Sequence, residues 1–189
     1  MKILYTLSLV LLLSSYGALA QKYVPVIKKG SVIGYNVESR NSGATANITL
    51  TMLSFDDPVK IKWDIPYVGT GTFEMSAKSM QSAIKTIAEE PTVDEVTKIP
   101  DDKTLVVLSK DSFSSLVNNK TFKLNGYTFN VQTDTAAFII NDKPADVFYA
   151  VSTKGDHQVW ILNYPGFPLI CRAHRVTTAI DFKLVSVTE

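Results

Sequence analysis

SVIGYNVESRNSGATANITLTMLSFDDPVKIKWDI, residues Ser31 to Ile65, alternates runs rich in β-branched and aromatic side chains with clusters of turn residues. Ser31 to Ser39 and Thr45 to Phe55 flank Asn41-Ser42-Gly43, and Asp56-Asp57-Pro58 turns the chain into Val59 to Ile65. Branched side chains fit a pleated, half-buried surface, while Asn, Asp, Gly and Pro supply turn dihedrals. The segment therefore predicts an antiparallel meander.

Working outward, the same grammar recurs. Asn125-Gly126 tolerates the positive φ of a type I′ turn, so Leu124 should face Tyr127, Phe122 should face Phe129, and Lys123 and Thr128 should share the opposite, wet face. Val147 to Ser152 and His157 to Leu162 read as a hairpin around Lys154-Gly155-Asp156, with apolar residues on both faces of each strand. Two helices interrupt the strands. One is predicted from Ala77 to Glu89, with Ser76 as N-cap and an apolar stripe of Ala77, Met80, Ala83, Ile84, Ile87 and Ala88. The other covers Asp111 to Asn118 and should bury Phe113, Leu116 and Val117. Between them, Lys103 to Ser109 is apolar on both faces and reads as an interior strand. A sheet greasy on both sides needs helices on one face and further sheet on the other. The expected fold is α+β: a predominantly antiparallel, strongly curved β-sheet or partial barrel with two short helices packed on it.

The start of the chain has a different character. Lys2, the apolar run Ile3 to Leu13 and the small-x-small triplet Ala18-Leu19-Ala20 have the organisation of a secretory signal peptide, with 21–189 as a single mature β-rich domain. Of 189 residues, 169 then remain, and without Lys2 the 18 basic residues face 18 acidic ones. Such neutrality lacks the basic footprint of a nucleic-acid binder. No later apolar stretch is long enough for an integral membrane span, so a periplasmic or extracellular location is expected. Cys171 is the only cysteine, which excludes an intramolecular disulfide even in an oxidising compartment.

The search for chemistry returns mostly exclusions. Two histidines and one thiol are too few for a protein metal centre. Cys171 and His174 have helical C-x-x-H spacing, but on a strand an odd separation sends them to opposite faces. Ser82-Ala83-Ile84-Lys85 lacks the companion elements of an S-x-x-K enzyme, and Gly69-Thr70-Gly71 is followed at position 74 by Glu74 where a dinucleotide loop needs glycine. A Cys171/His157 nucleophile pair has no identifiable orienting partner. No catalytic residue, metal ligand or cofactor is assigned. The positive feature is Arg172 and His174, which share a strand face directly after the charge-free run Gln158 to Cys171. With Trp160, Tyr164 and Phe167 they form the candidate ligand site: a cationic spot beside an apolar surface, suited to an acyl chain with an anionic head.

Ile99-Pro100-Asp101-Asp102-Lys103-Thr104 with Ser109-Lys110-Asp111, and Tyr164-Pro165-Gly166-Phe167-Pro168-Leu169 followed by Asp181-Phe182-Lys183-Leu184, resemble segments of small exported Bacteroidota proteins without an assigned function. Gln21 is similar to their usual mature start. In overall style the chain also resembles periplasmic β-sheet proteins of the lipoprotein-carrier type, which implies a cup for acyl chains. The expected function is thus non-catalytic binding of a hydrophobic or amphipathic, lipid-like small molecule. The alternatives are a structural or protein-interaction module of the cell envelope and a hydrolase with a dispersed site; no protein partner is specified by the sequence.

Overall fold

The computed structural model describes residues 22–87, 91–133 and 137–188. The leader-peptide reading falls on residues outside that set, as do the last two positions of the expected first helix. The fold is built on one 11-stranded sheet. Its first half is the expected meander of β1 (Val32–Ser39), β2 (Thr45–Ser54) and β3 (Val59–Ile65), continued by β4 (Gly69–Met75). β6 (Val96–Lys98) adds parallel to β4, which makes the sheet mixed. Its second half contains β8 (Thr121–Leu124), β9 (Tyr127–Val131), β12 (Val147–Ser152), β13 (Gln158–Leu162) and β14 (Ile170–His174). β15 (Ile180–Thr188) pairs with both β14 and β1 and joins the two halves. The strand order is β6-β4-β3-β2-β1-β15-β14-β13-β12-β9-β8, with no pairing between its two ends. It is an open sheet, dominated by antiparallel pairs.

The Asn125-Gly126 hairpin forms in the expected register, with φ of 49° and 82° at its two turn residues. Helix α2 (Lys110–Asn119) is capped by Ser109 and buries Phe113 and Leu116. Val117, expected inside, is 36% exposed because it lies on the helix flank turned from the sheet.

Helix α1 (Ala77–Ser82) is shorter than its apolar stripe suggests. Ser76 does cap it, but Ala83 is already extended at ψ 141° and Ile84 is 48% exposed. The cause is tertiary competition for the backbone. Lys85 and Thr86 form β5, paired with β7 (Lys103–Thr104), while the Thr86 amide donates to Asn125 Oδ1 and the Ile87 amide to the Thr104 carbonyl. A short helix gains little per added residue and yields to such partners. The expected Lys103–Ser109 strand is likewise cut to two residues. Val106 has φ 44°, which ends the extended run, and Val107 makes a lone bridge to Leu169. Leu105, Val107 and Leu108 are nevertheless buried, as cover for the sheet instead of a strand within it.

Alternation along the strands defines two faces. The inner face presents Ile33, Tyr35, Leu50, Ile61, Trp63 and Phe73 in one half and Phe129, Ala150, Val159, Ile161 and Phe182 in the other. α2 packs on it through Phe113, edge-on to Phe148 at 6.1 Å. A small ribbon, β10 (Ile139–Ile140) with β11 (Lys143–Pro144), attaches to the backbone of β15, where Asn141 bonds Val187 through both side-chain amide atoms.

Trp63 packs so closely over β4 that a Cβ on Gly71 would sit 2.6 Å from its Nε1. Gly71→Ala is therefore expected to destabilise the fold by about 1–3 kcal/mol, the usual range for overpacking, read as a lower midpoint in guanidinium unfolding with an unchanged m-value.

Candidate functional site

The inner face holds an apolar cavity of about 70 Å³. The sheet supplies Tyr35, Val37, Ile48, Leu50, Trp63, Ile65, Phe73, Ile180 and Phe182, and the cover supplies Ile87, Pro91, Leu105 and Val106. Two physical irregularities meet here. Trp63 is fully buried, yet its indole N–H has no acceptor among the described residues. A buried donor left unpaired costs about 1–3 kcal/mol. Val106, a β-branched residue, is held in the left-handed region, a conformation such residues rarely adopt. Tyr35, at the cavity wall, is satisfied: its hydroxyl donates to the Ile170 carbonyl at 3.0 Å, and burial pushes its pKa well above the ordinary value.

The candidate residues of the last third divide between two places. Trp160 and Arg172 are cross-strand partners on the outer face, with the guanidinium 4.9 Å from the indole centroid and Tyr149 stacked on the same ring at 4.5 Å. His174 is on that face too, its Nδ1 2.5 Å from Asp181 Oδ2. Phe167 goes elsewhere: it is 1% exposed and edge-on to Phe55, in the loop that bonds Val107 and Leu108. Tyr164 is half-buried beside Gly166 in the same loop. Trp160, Arg172 and His174 thus come together without Tyr164 and Phe167, and the apolar cavity lies on the other side of the sheet from all three.

Around Arg172 and His174 the structure adds residues that local sequence did not connect. Arg40, Arg175, Lys183, Asp181 and Glu38 line the same open groove, whose volume is about 500 Å³. Asp181 organises it, accepting from the Arg175 amide at 2.7 Å and lying 3.5 Å from Arg40 Nε. Arg40 Nη2 also donates to the Thr177 carbonyl. Arg40 sits at the end of β1 and is brought here by the β1–β15 pairing. The available signal was composition: these are the only three arginines of the chain.

Other reactive groups are spoken for. Cys171 is fully buried, its thiol pushed up by burial, and does not meet His157. His157 stacks on Tyr127 with centroids 3.7 Å apart. Its Nδ1 faces both Asp156 Oδ1 at 2.5 Å and Ser152 Oγ at 3.3 Å. A serine triad needs the serine and the carboxylate on different ring nitrogens, so this trio closes a turn and is no nucleophile relay. Asp101 and Asp102 brace α1 and β5. The Ser76 hydroxyl and then Lys78 hold the Asp101 carboxyl below its usual range, and Lys85 does so for Asp102. Among the described residues, no three His, Cys, Asp or Glu side chains cluster as a metal would require. No family model matches the chain, and no curated protein matches it.

Native Cys171 should resist an aromatic disulfide reagent at pH 8 and react stoichiometrically once guanidinium unfolds the chain. Rapid labelling under native conditions would contradict its burial.

Proposed function

We propose that the protein is an exported, non-catalytic binding protein for a hydrophobic or amphipathic, acyl-type small molecule, taken up in the cup between the inner face of the sheet and its cover. The observation that carries this reading is the mainly apolar cavity walled by a tryptophan whose buried N–H lacks an acceptor among the described residues. A carboxylate or ester oxygen entering there would supply it. At about 70 Å³ the cavity is less than half the ~150 Å³ that admits benzene. Uptake therefore needs the Leu105–Val106 stretch to move outward, and relief of the strained Val106 backbone offsets part of that cost. The reading also takes the sheet as a strongly curved partial barrel. In support, Phe55 at the end of β2 meets Phe167 beyond β13 at 5.4 Å, although three strands lie between β2 and β13. In a flat sheet that offset alone spans about 19 Å.

A second reading, an interaction module of the cell envelope, draws on the corner where Tyr67 projects fully into solvent beside Val68 and Val93, next to the edge strand β6 with Val96 56% exposed. The occupant it implies is a second copy of the chain, since unpaired strand edges associate with their own kind.

Trp63 and Trp160 are the only tryptophans, one at the cup and one on the outer face. In protein labelled with 5-fluorotryptophan, and with resonances assigned by Trp160→Phe, decanoate should shift the Trp63 signal saturably and leave Trp160 in place. Native mass spectrometry of the secreted chain should show an extractable apolar adduct. An unmoved Trp63 signal and a bare mass would remove the cup reading. For the second reading, sedimentation should show concentration-dependent association that Val96→Lys abolishes.

A further inference from the structure

The outer-face groove has a charge arrangement that the protein alone does not balance. Arg40, Arg172, Arg175 and Lys183 bring four fixed positive charges against two carboxylates, Glu38 and Asp181, in a chain whose formal net charge is only +1. The two carboxylates are themselves cross-strand partners on β1 and β15, and Asp181 is already engaged by Arg40, His174 and the Arg175 amide.

On the next strand pair the conflict has the opposite sign. Arg172 on β14 lies directly across from Lys183 on β15. Like charges at facing positions destabilise an antiparallel pair. Among the described residues, no carboxylate lies within ion-pair distance of Arg172, Lys183 or Arg175; Arg172 rests on the Trp160 ring, and Lys183 sits 6.0 Å from the Phe138 centroid. Ring contacts fix the direction of a cation without neutralising it. A local arrangement that costs stability and is nonetheless held in place marks a functional site.

We propose that this groove binds a phosphate-type oxyanion carried on a larger molecule. Guanidinium forks match tetrahedral oxyanions with paired hydrogen bonds, which is why arginine is favoured over lysine for this task. Asp181 holds Arg40 in place, and Trp160 supports Arg172 from beneath. The groove is open and about 500 Å³ in volume, so it has room for the rest of a phosphate ester beside the phosphoryl group. A soluble phosphate ester and a phospholipid headgroup share this chemistry. The site is on the opposite face from the cup and does not depend on it.

The test uses the fluorotryptophan-labelled protein and calorimetry. Glycerol 3-phosphate should shift the Trp160 resonance saturably while Trp63 stays still. By calorimetry, Arg175→Ala and Lys183→Gln should each weaken binding about tenfold or more, as loss of a charge-assisted contact does. Lys62→Gln, elsewhere on the outer face, should leave it unchanged. Vesicles of phosphatidic acid in phosphatidylcholine provide the other arm. Sedimentation with them, lost in the same two variants, without a response to the soluble ester would place the oxyanion on a lipid. Silence in both arms, or binding that survives both substitutions, overturns the proposal. A Trp63 response to decanoate bears only on the cup.

Discussion

The pairing of β1 with β15 is the constraint on which the rest of the structure depends. It couples Val32 to Thr188 and Ser39 to Ile180 with a single register shift at Gly34/Tyr35. Closing a loop of that length carries an entropic cost that must be met by contacts formed together. Once it is closed, the meander on one side and the Ile170–Leu162–Val147 strands on the other become one surface. The inner face is then continuous from Phe73 to Phe122, and no local segment could have made it so.

The same pairing fixes which side chains share the outer face. Tyr149, Trp160, Arg172, Lys183, Asn36 and Asn47 fall in one cross-strand line over six strands. Because side chains alternate along β14 and β15, the basic groups on this line face away from the apolar cavity, however close they are in sequence to the buried Cys171 and Ala173. The sheet thus separates an apolar interior from a cationic exterior by the thickness of one backbone layer. A single head-and-tail ligand spanning Arg172 and Phe167 does not fit this layout, because the basic groove and the apolar cavity lie on opposite faces.

Much of the local structure was legible from residue types. Asn125-Gly126 specified its hairpin because both residues accept positive φ, and Ser76 specified the start of α1 because its hydroxyl satisfies a first-turn amide. Errors arose where local pattern and distant partners compete. Ala83 to Ile87 has helical periodicity, but Thr104 and Asn125 offer its amides other acceptors. Leu105 to Leu108 is as apolar as a central strand, but Val106 turns the chain before a ladder can form.

Sequence by itself determined most of the strand and turn units, the β-dominated composition of the fold, the isolation of Cys171 from any intramolecular disulfide and the opposite-face placement of Cys171 and His174. These follow from backbone dihedral preferences and a side-chain period of two, which are local. Only the tertiary structure decided which strands are neighbours, that Arg40 joins Arg172 and Arg175, that Trp63 has no acceptor among the described residues and that Phe167 belongs to the core. Those outcomes depend on contacts between residues far apart in the chain, where register, not residue type, sets which side chains meet.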